Sequence, residues 1–187
     1  MSDDFGSLQG KVLLACPTME DPNFHRTVVY MVRHTPDDAF GLVINRPTEF
    51  DISKVMESIT EREFHRAEPL YRGGPVEGPL ILLHNFKPLG DFECQSGVYL
   101  TSDRERVLDI LSSEETTLKL FDGFSGWGPG QLENEIATGS WIVSSIAAEE
   151  VFSDEDNLWQ SLVHRIGHDV FLASGIQLAD RKKARWN

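Results

Sequence analysis

The residues best placed to do chemistry lie in one glycine-rich stretch, Gly123-Phe124-Ser125-Gly126-Trp127-Gly128-Pro129-Gly130-Gln131-Leu132-Glu133. A serine that follows a strand, with a glycine two residues before it, suggests a nucleophile elbow, in which G-x-S-x-G holds the hydroxyl on a strained strand-to-helix turn. The spacing fails here, because the second glycine would fall on Trp127 and Pro129 delays the helix. Glycines leading into a helix N-terminus also expose amide donors at the positive end of the helix dipole, which suits a small anion or carboxylate. Neither G-x-G-x-x-G nor G-x-x-x-x-G-K-[ST] is present. Pro129 in a first helical turn and Gly139 past the last explain the same residues as helix ends. On that reading Gln131 folds back onto free amides, and Trp127 packs beside the turn with its indole N–H on a nearby carbonyl.

Other candidates sit at strand ends. Gly73-Gly74-Pro75-Val76 serves either a tight turn or a close backbone approach to a ligand, the turn being favoured. Asn45-Arg46-Pro47 closes a strand, where polar side chains often face a site in open sheets, although Pro47 alone accounts for the end. His34 and His84 each close a strand, as proton carriers at a pocket rim or as hydrogen-bonded structural residues. His164 and His168 have i, i+4 spacing, but Gly167 lies between them and the glutamate of H-E-x-x-H is missing, so no metal site is expected. The candidate ligand or partner surface is therefore Asn45, Arg46, Gly73, Gly74, His84, Trp127, Gly128, Gly130 and Gln131. No catalytic residue and no cofactor is assigned. Cys16 and Cys94 form no C-x-x-C pair and are expected to be reduced thiols, not a disulfide.

The elements that must position these residues alternate along the chain. Apolar or β-branched runs predict strands at Lys11 to Cys16, Thr27 to His34 and Ala39 to Asn45, with Pro36-Asp37-Asp38 joining the last two as a hairpin. A helix starts after Asp51, an N-cap, with Ile52, Val55, Met56 and Ile59 on one face. Strands follow at Leu80 to His84 and Gly97 to Thr101. Ser102 to Glu105 then reads as a capping box opening a helix to about Ser112. Thr117 to Phe121 is a strand, Leu132 and Ile136 mark a short helix, and Ser140 to Ser144 is a strand around Trp141. A final helix runs near Asp156 to Ile166 and stops at Gly167. The early hairpin breaks any purely parallel βαβ pattern, so a single α+β domain with a mixed sheet and flanking helices is predicted. Residues 1–10 and 178–187 are expected to be tails.

At 187 residues the chain is one domain's length, and its 40% apolar share is ample for a core. Met1 to Gly10 lacks the basic start and apolar stretch of a secretory peptide, and no apolar run approaches membrane-spanning length. The expected setting is the cytoplasm, away from membranes. Seventeen Lys and Arg against 30 Asp and Glu give a net charge of −13, which disfavours a polyphosphate partner.

Four segments carry a family resemblance in order: Pro17-Thr18-Met19 with Asp21-Pro22-Asn23-Phe24, Gly41 to Pro47, Gly73 to Val76, and Gly126 to Glu133. Together they resemble the YqgE/AlgH family over about Leu13 to Trp159. The resemblance implies a mixed α/β domain with a bifurcated or barrel-like sheet surrounded by helices. It implies no known enzyme, cofactor or DNA-binding motif, although some members are described as transcriptional regulators through alginate control. It also sets Ser125 where many relatives have alanine. The favoured function is a non-enzymatic regulatory or binding module with a protein or small-molecule partner. An enzyme with a pocket near the two glycine-rich loops, and a transcriptional regulator acting directly or indirectly, are the alternatives.

The charge balance generates one prediction. With net charge −13 there are few cations to release the counterions of duplex DNA. No mobility shift is expected at micromolar protein in about 150 mM salt, a regime that reveals even non-specific binders. A shifted band would overturn it.

Overall fold

The computed structural model describes residues 6–113, 115–153 and 157–173. The 178–187 tail, the acidic residues 154–156 and the basic group at 181–185 lie outside the described residues. Within the other predicted tail, Leu8 is buried and the Gly10 amide donates to the Met31 carbonyl at 2.8 Å.

Strands β1 (Lys11–Ala15), β2 (Val28–His34) and β3 (Ala39–Val43) form where apolar runs predict them. They share an antiparallel sheet with two later strands, β10 (Ser125–Trp127) and β11 (Trp141–Ser145), in the order β10-β3-β2-β1-β11. The second sheet holds β4 (Pro47–Asp51), β5 (Pro69–Arg72), β6 (Ile81–His84), β7 (Phe92–Gln95), β8 (Val98–Thr101) and β9 (Leu118–Asp122), in the order β4-β5-β9-β6-β8-β7. Among the described residues its one parallel pairing is β5 with β9.

Side-chain alternation shows how the sheets stack. Val12 and Leu14 of β1, with Val28, Tyr30 and Val32 of β2, join Ile81, Leu83 and Phe121 of the other sheet in one cluster. Leu13, Ala15, Val29 and Met31 point the other way, under Leu132 of helix α3 (Gln131–Ala137). Leu82, Leu118 and Leu120 form the outer face of the second sheet, covered by α1 (Ile52–Ile59) and α2 (Arg104–Leu111). The strands divide between two facing sheets and no barrel closes among the described residues. A strand buried on both faces reads as a continuous apolar run, which is why β1 and β2 are legible without strict alternation. Helices α4 (Ala148–Val151) and α5 (Leu158–Ala173) close one end of the sandwich through Val151, Leu158 and Leu162.

Some expectations are corrected. Pro47 does not stop a strand but opens β4, an edge strand where its missing N–H costs no interior ladder bond. Asp103, not Ser102, caps α2, accepting from the Arg106 amide at 3.1 Å. Helix α5 continues through Gly167, an exposed position where glycine costs only about 1 kcal/mol. Asp51 caps α1 as read, accepting from the Lys54 amide at 2.8 Å.

The glycine-rich segments join the sheets. After β9 the chain turns at Gly123 with φ +73° and enters the first sheet as β10. Beside it, residues 73–76 leave β5, and Val76 and Phe124 exchange both backbone hydrogen bonds, at 3.0 and 2.9 Å. A Cβ at residue 73 would lie 2.2 Å from the Gly123 carbonyl oxygen, and one at residue 74 would lie 2.2 Å from that of Phe124. The glycines exist for backbone-to-backbone approach, so the turn reading of Gly73-Gly74 gives way to a crossing. By contrast, a Cβ at Gly128 meets nothing within 4 Å.

Gly74→Ala is expected to lower stability by about 3 kcal/mol or more, the range of severe steric and backbone lesions, and Gly128→Ala to change it by about 0.5 kcal/mol or less. Urea titrations of both variants check this. Equal effects would mean that the crossing is not tight.

Candidate functional site

Strands β5 and β9 run parallel and end together, with Arg72 paired in register to Asp122. Crevices beyond the carboxyl ends of parallel strands are habitual ligand sites. A cavity of about 440 Å³ opens here, lined by Asn23, Arg46, Arg72, Gly74, Glu77 and Asp122, with Gly123 beneath.

Arg46 follows β3 and donates to the carbonyls of Asn23 (2.7 Å), Pro22 (3.0 Å) and His25 (3.2 Å). These contacts pin the 22–25 loop beside the cavity and are all to neutral oxygens. Burial lowers the Arg46 pKa first, the nearby Arg72 cation lowers it further, and Asp21 partly opposes both. Guanidinium remains charged throughout. Arg72 is exposed, and its side chain has no hydrogen bond or ion pair among the described residues. The amides of Gly74 and Gly123 likewise take no backbone partner among the described residues. Two cations and two carboxylates thus border one cavity, with Gly74 and Gly123 in its lining.

The other candidates do not gather there. Asn45 accepts from the Val28 amide at 2.8 Å and donates to the Arg26 carbonyl at 3.0 Å, finishing the end of β3 while Arg26 holds φ +55°. It borders a separate cavity with Arg26 and Trp159. Trp127 is buried, and its indole N–H donates to the Glu135 carboxylate at 2.9 Å, not to a backbone carbonyl. Trp141 and Gln131 donate to the same carboxylate at 2.8 and 2.9 Å, and the Gly128 amide donates to Gln131 Oε1 at 3.2 Å. Gly130 is the left-handed N-cap of α3. Gln131 does fold back, and residues 127–131 form the tightly bonded start of that helix. Ser125 is fully buried and its hydroxyl donates to the Gly73 carbonyl at 3.2 Å, a structural role. Gly73 lies in the crossing beneath the cavity. Arg46 and Gly74 are therefore the two sequence candidates that meet. Arg72, Asp122 and Glu77 join them unforeseen, the first two because β5 and the end of β9 were not legible.

His84 is neither a rim residue nor fully hydrogen-bonded. It is 0% exposed, its Nδ1 accepts from the Phe86 amide at 3.2 Å, and Nε2 has no partner among the described residues. Burial pushes its pKa down to about 4, against a smaller raising influence from Asp91.

Comparison with known proteins follows the same outline. A family model described as AlgH-like matches residues 12–171. A UPF0301 protein of Thioalkalivibrio sulfidiphilus is 35% identical over 173 residues, covering 87% of this chain and 91% of its own. One from Chlorobaculum tepidum is 33% identical over 175 residues, covering 89% and 91%. The solution structure of the AlgH protein from Pseudomonas aeruginosa superposes with TM-score 0.74 at 26% identity, covering 96% of this chain and 100% of that one. A crystal structure of a Corynebacterium diphtheriae protein shares the fold, with TM-score 0.70 at 22% identity over 88% of this chain and 90% of that one.

The His84 environment predicts a pH dependence. Its folded pKa of about 4 lies below the value near 6.5 expected when unfolded, so the unfolded chain takes up the proton first. The stability held above pH 6.5 falls as pH drops toward 4, by about 3 kcal/mol over the full window at 1.36 kcal/mol per pH unit. Urea unfolding between pH 5 and 7 should show the slope, and His84→Phe should flatten it. An unchanged slope in the variant would contradict it.

Proposed function

The chain belongs to the AlgH-like family, and from that premise we propose that it is a non-enzymatic binding module that holds a small anion between Arg46 and Arg72. The observation that carries this reading is the convergence of two guanidiniums, neither ion-paired among the described residues, on one 440 Å³ cavity at the parallel strand ends. Its size is within the range of about 300–1,000 Å³ common for small-ligand sites. Like charges held close are relieved by an anion, and guanidinium presents a planar fork that fits carboxylate or phosphate oxygens.

A regulatory consequence follows from Arg46. Its donors already hold the carbonyls of Pro22, Asn23 and His25. An anion competing for those donors would loosen the 22–25 loop and alter the surface offered to a protein partner. The cytoplasm suits this reading, with Cys16 and Cys94 as separate free thiols and the buried Cys94 pushed up to about 12 by desolvation. Among the described residues no helix is long and apolar enough to cross a membrane.

A melting-temperature series with inorganic phosphate and acetate tests the reading. Ligand at about 100 times its Kd adds about 2.7 kcal/mol, and in a domain of this size each kcal/mol raises Tm by about 2–4 °C. One of the anions should stabilise the parent by several degrees, while Arg72→Ala, altering an exposed side chain, keeps the parent Tm but loses the response. No response from these anions or from a free α-amino acid, or an equal response in the variant, would refute it.

A further inference from the structure

Resting on the anion site just described, we propose that the ligand is a small zwitterion, an α-amino acid or dipeptide, with its carboxylate on the arginines and its ammonium on Asp122 and Glu77. The cavity carries both signs of charge. Asp122 stands beside Arg72 in the parallel register, and Glu77 follows the glycine loop on the same wall. Neither carboxylate is ion-paired with Arg46 or Arg72 among the described residues. A bare phosphate would gain the guanidiniums but meet two carboxylates, and like charges a few ångströms apart in a partly desolvated site are costly. A bare amine would meet the reverse.

A molecule with separated charges satisfies both halves. Its carboxylate oxygens can take the Arg72 fork and the amides of Gly74 and Gly123, which have no backbone partner among the described residues. Its ammonium, a compact donor of three hydrogen bonds, can reach the acidic side chains. Val43, Pro75 and Val76 supply an apolar wall for a short side chain. The same acidic groups turn away nucleotides and other polyphosphates, in keeping with the net charge of −13.

The test is isothermal titration of the full chain with L-alanine, L-alanyl-L-alanine, N-acetyl-L-alanyl-L-alanine and L-alanyl-L-alaninamide, with inorganic phosphate as reference. The acetylated peptide keeps the carboxylate and lacks the ammonium, and the amide does the opposite. Alanine or alanylalanine is expected to bind at least tenfold more tightly than either blocked peptide. In Asp122→Asn, or in Glu77→Gln should the first be poorly folded by circular dichroism, that preference should shrink severalfold while binding of the acetylated peptide holds or improves. Equal binding of free and acetylated peptide overturns the zwitterion and leaves the anion site standing. Binding of phosphate alone does the same. Silence from phosphate and all four organic probes overturns both.

Discussion

The carbonyl oxygens of Gly123 and Phe124 occupy the space where side chains would begin if residues 73 and 74 were anything but glycine. This contact lets two chain segments, one leaving β5 and one leaving β9, pass in backbone contact between the sheets. The Gly73 carbonyl accepts from the Val43 amide at 2.8 Å and from the Ser125 hydroxyl at 3.2 Å, so one peptide group binds β5, β3 and β10 together. The sheets then share covalent and hydrogen-bonded connections at this crossing. The parallel strand ends are held open beside it, which is where Arg72 and Asp122 emerge.

Buried polar groups elsewhere serve the same sandwich. Lys119 on β9 is nearly inaccessible, yet its Nζ donates to the carbonyls of Ile44 at 3.1 Å and Ser153 at 2.7 Å and lies 4.4 Å from the centre of the Tyr71 ring. It links the second sheet to the end of β3 and to the segment before α5, with carbonyl and ring contacts offsetting the cost of burying a cation. Arg66 does comparable work at the other face, reaching the carbonyls of Leu111, Ser113 and Thr116 and the carboxylate of Glu68. On the outer face of the first sheet, Glu135 collects three N–H donors from Trp127, Trp141 and Gln131. Against this framework Arg46 differs, because its contacts are at the edge of a cavity and with a loop, not inside the stack.

Legibility in the sequence followed burial. Strands β1, β2, β3 and β6 are apolar enough to announce themselves, and α1 carries both its cap and its periodic face. Strands β4 and β7 are mostly exposed edge strands with polar residues, so neither alternation nor an apolar run marks them. The four residues of β5 begin with a proline and run into two glycines, and β10 hides in a segment whose glycines read as loop. The resemblance to the YqgE/AlgH family identified the right family and the mixed fold with flanking helices, while the division into two facing sheets came from the structure. Two of the nine candidate residues line the candidate cavity. Arg46 and Gly74 stood out through punctuation by proline and glycine, but the parallel register that brings Arg72 beside Asp122 is a long-range pairing that no local pattern encodes.

Hydrogen exchange at the amides of Val76 and Phe124 reports most directly on the crossing. Each donates to the other residue's carbonyl, outside any long strand, at the point where the sheets join. If the crossing is the fold's central constraint, both amides should exchange only through global unfolding, with the protection of the Tyr30 amide in the middle of the first sheet. Exchange at loop-like rates, orders of magnitude faster than Tyr30, would show that the sheets hold together without it.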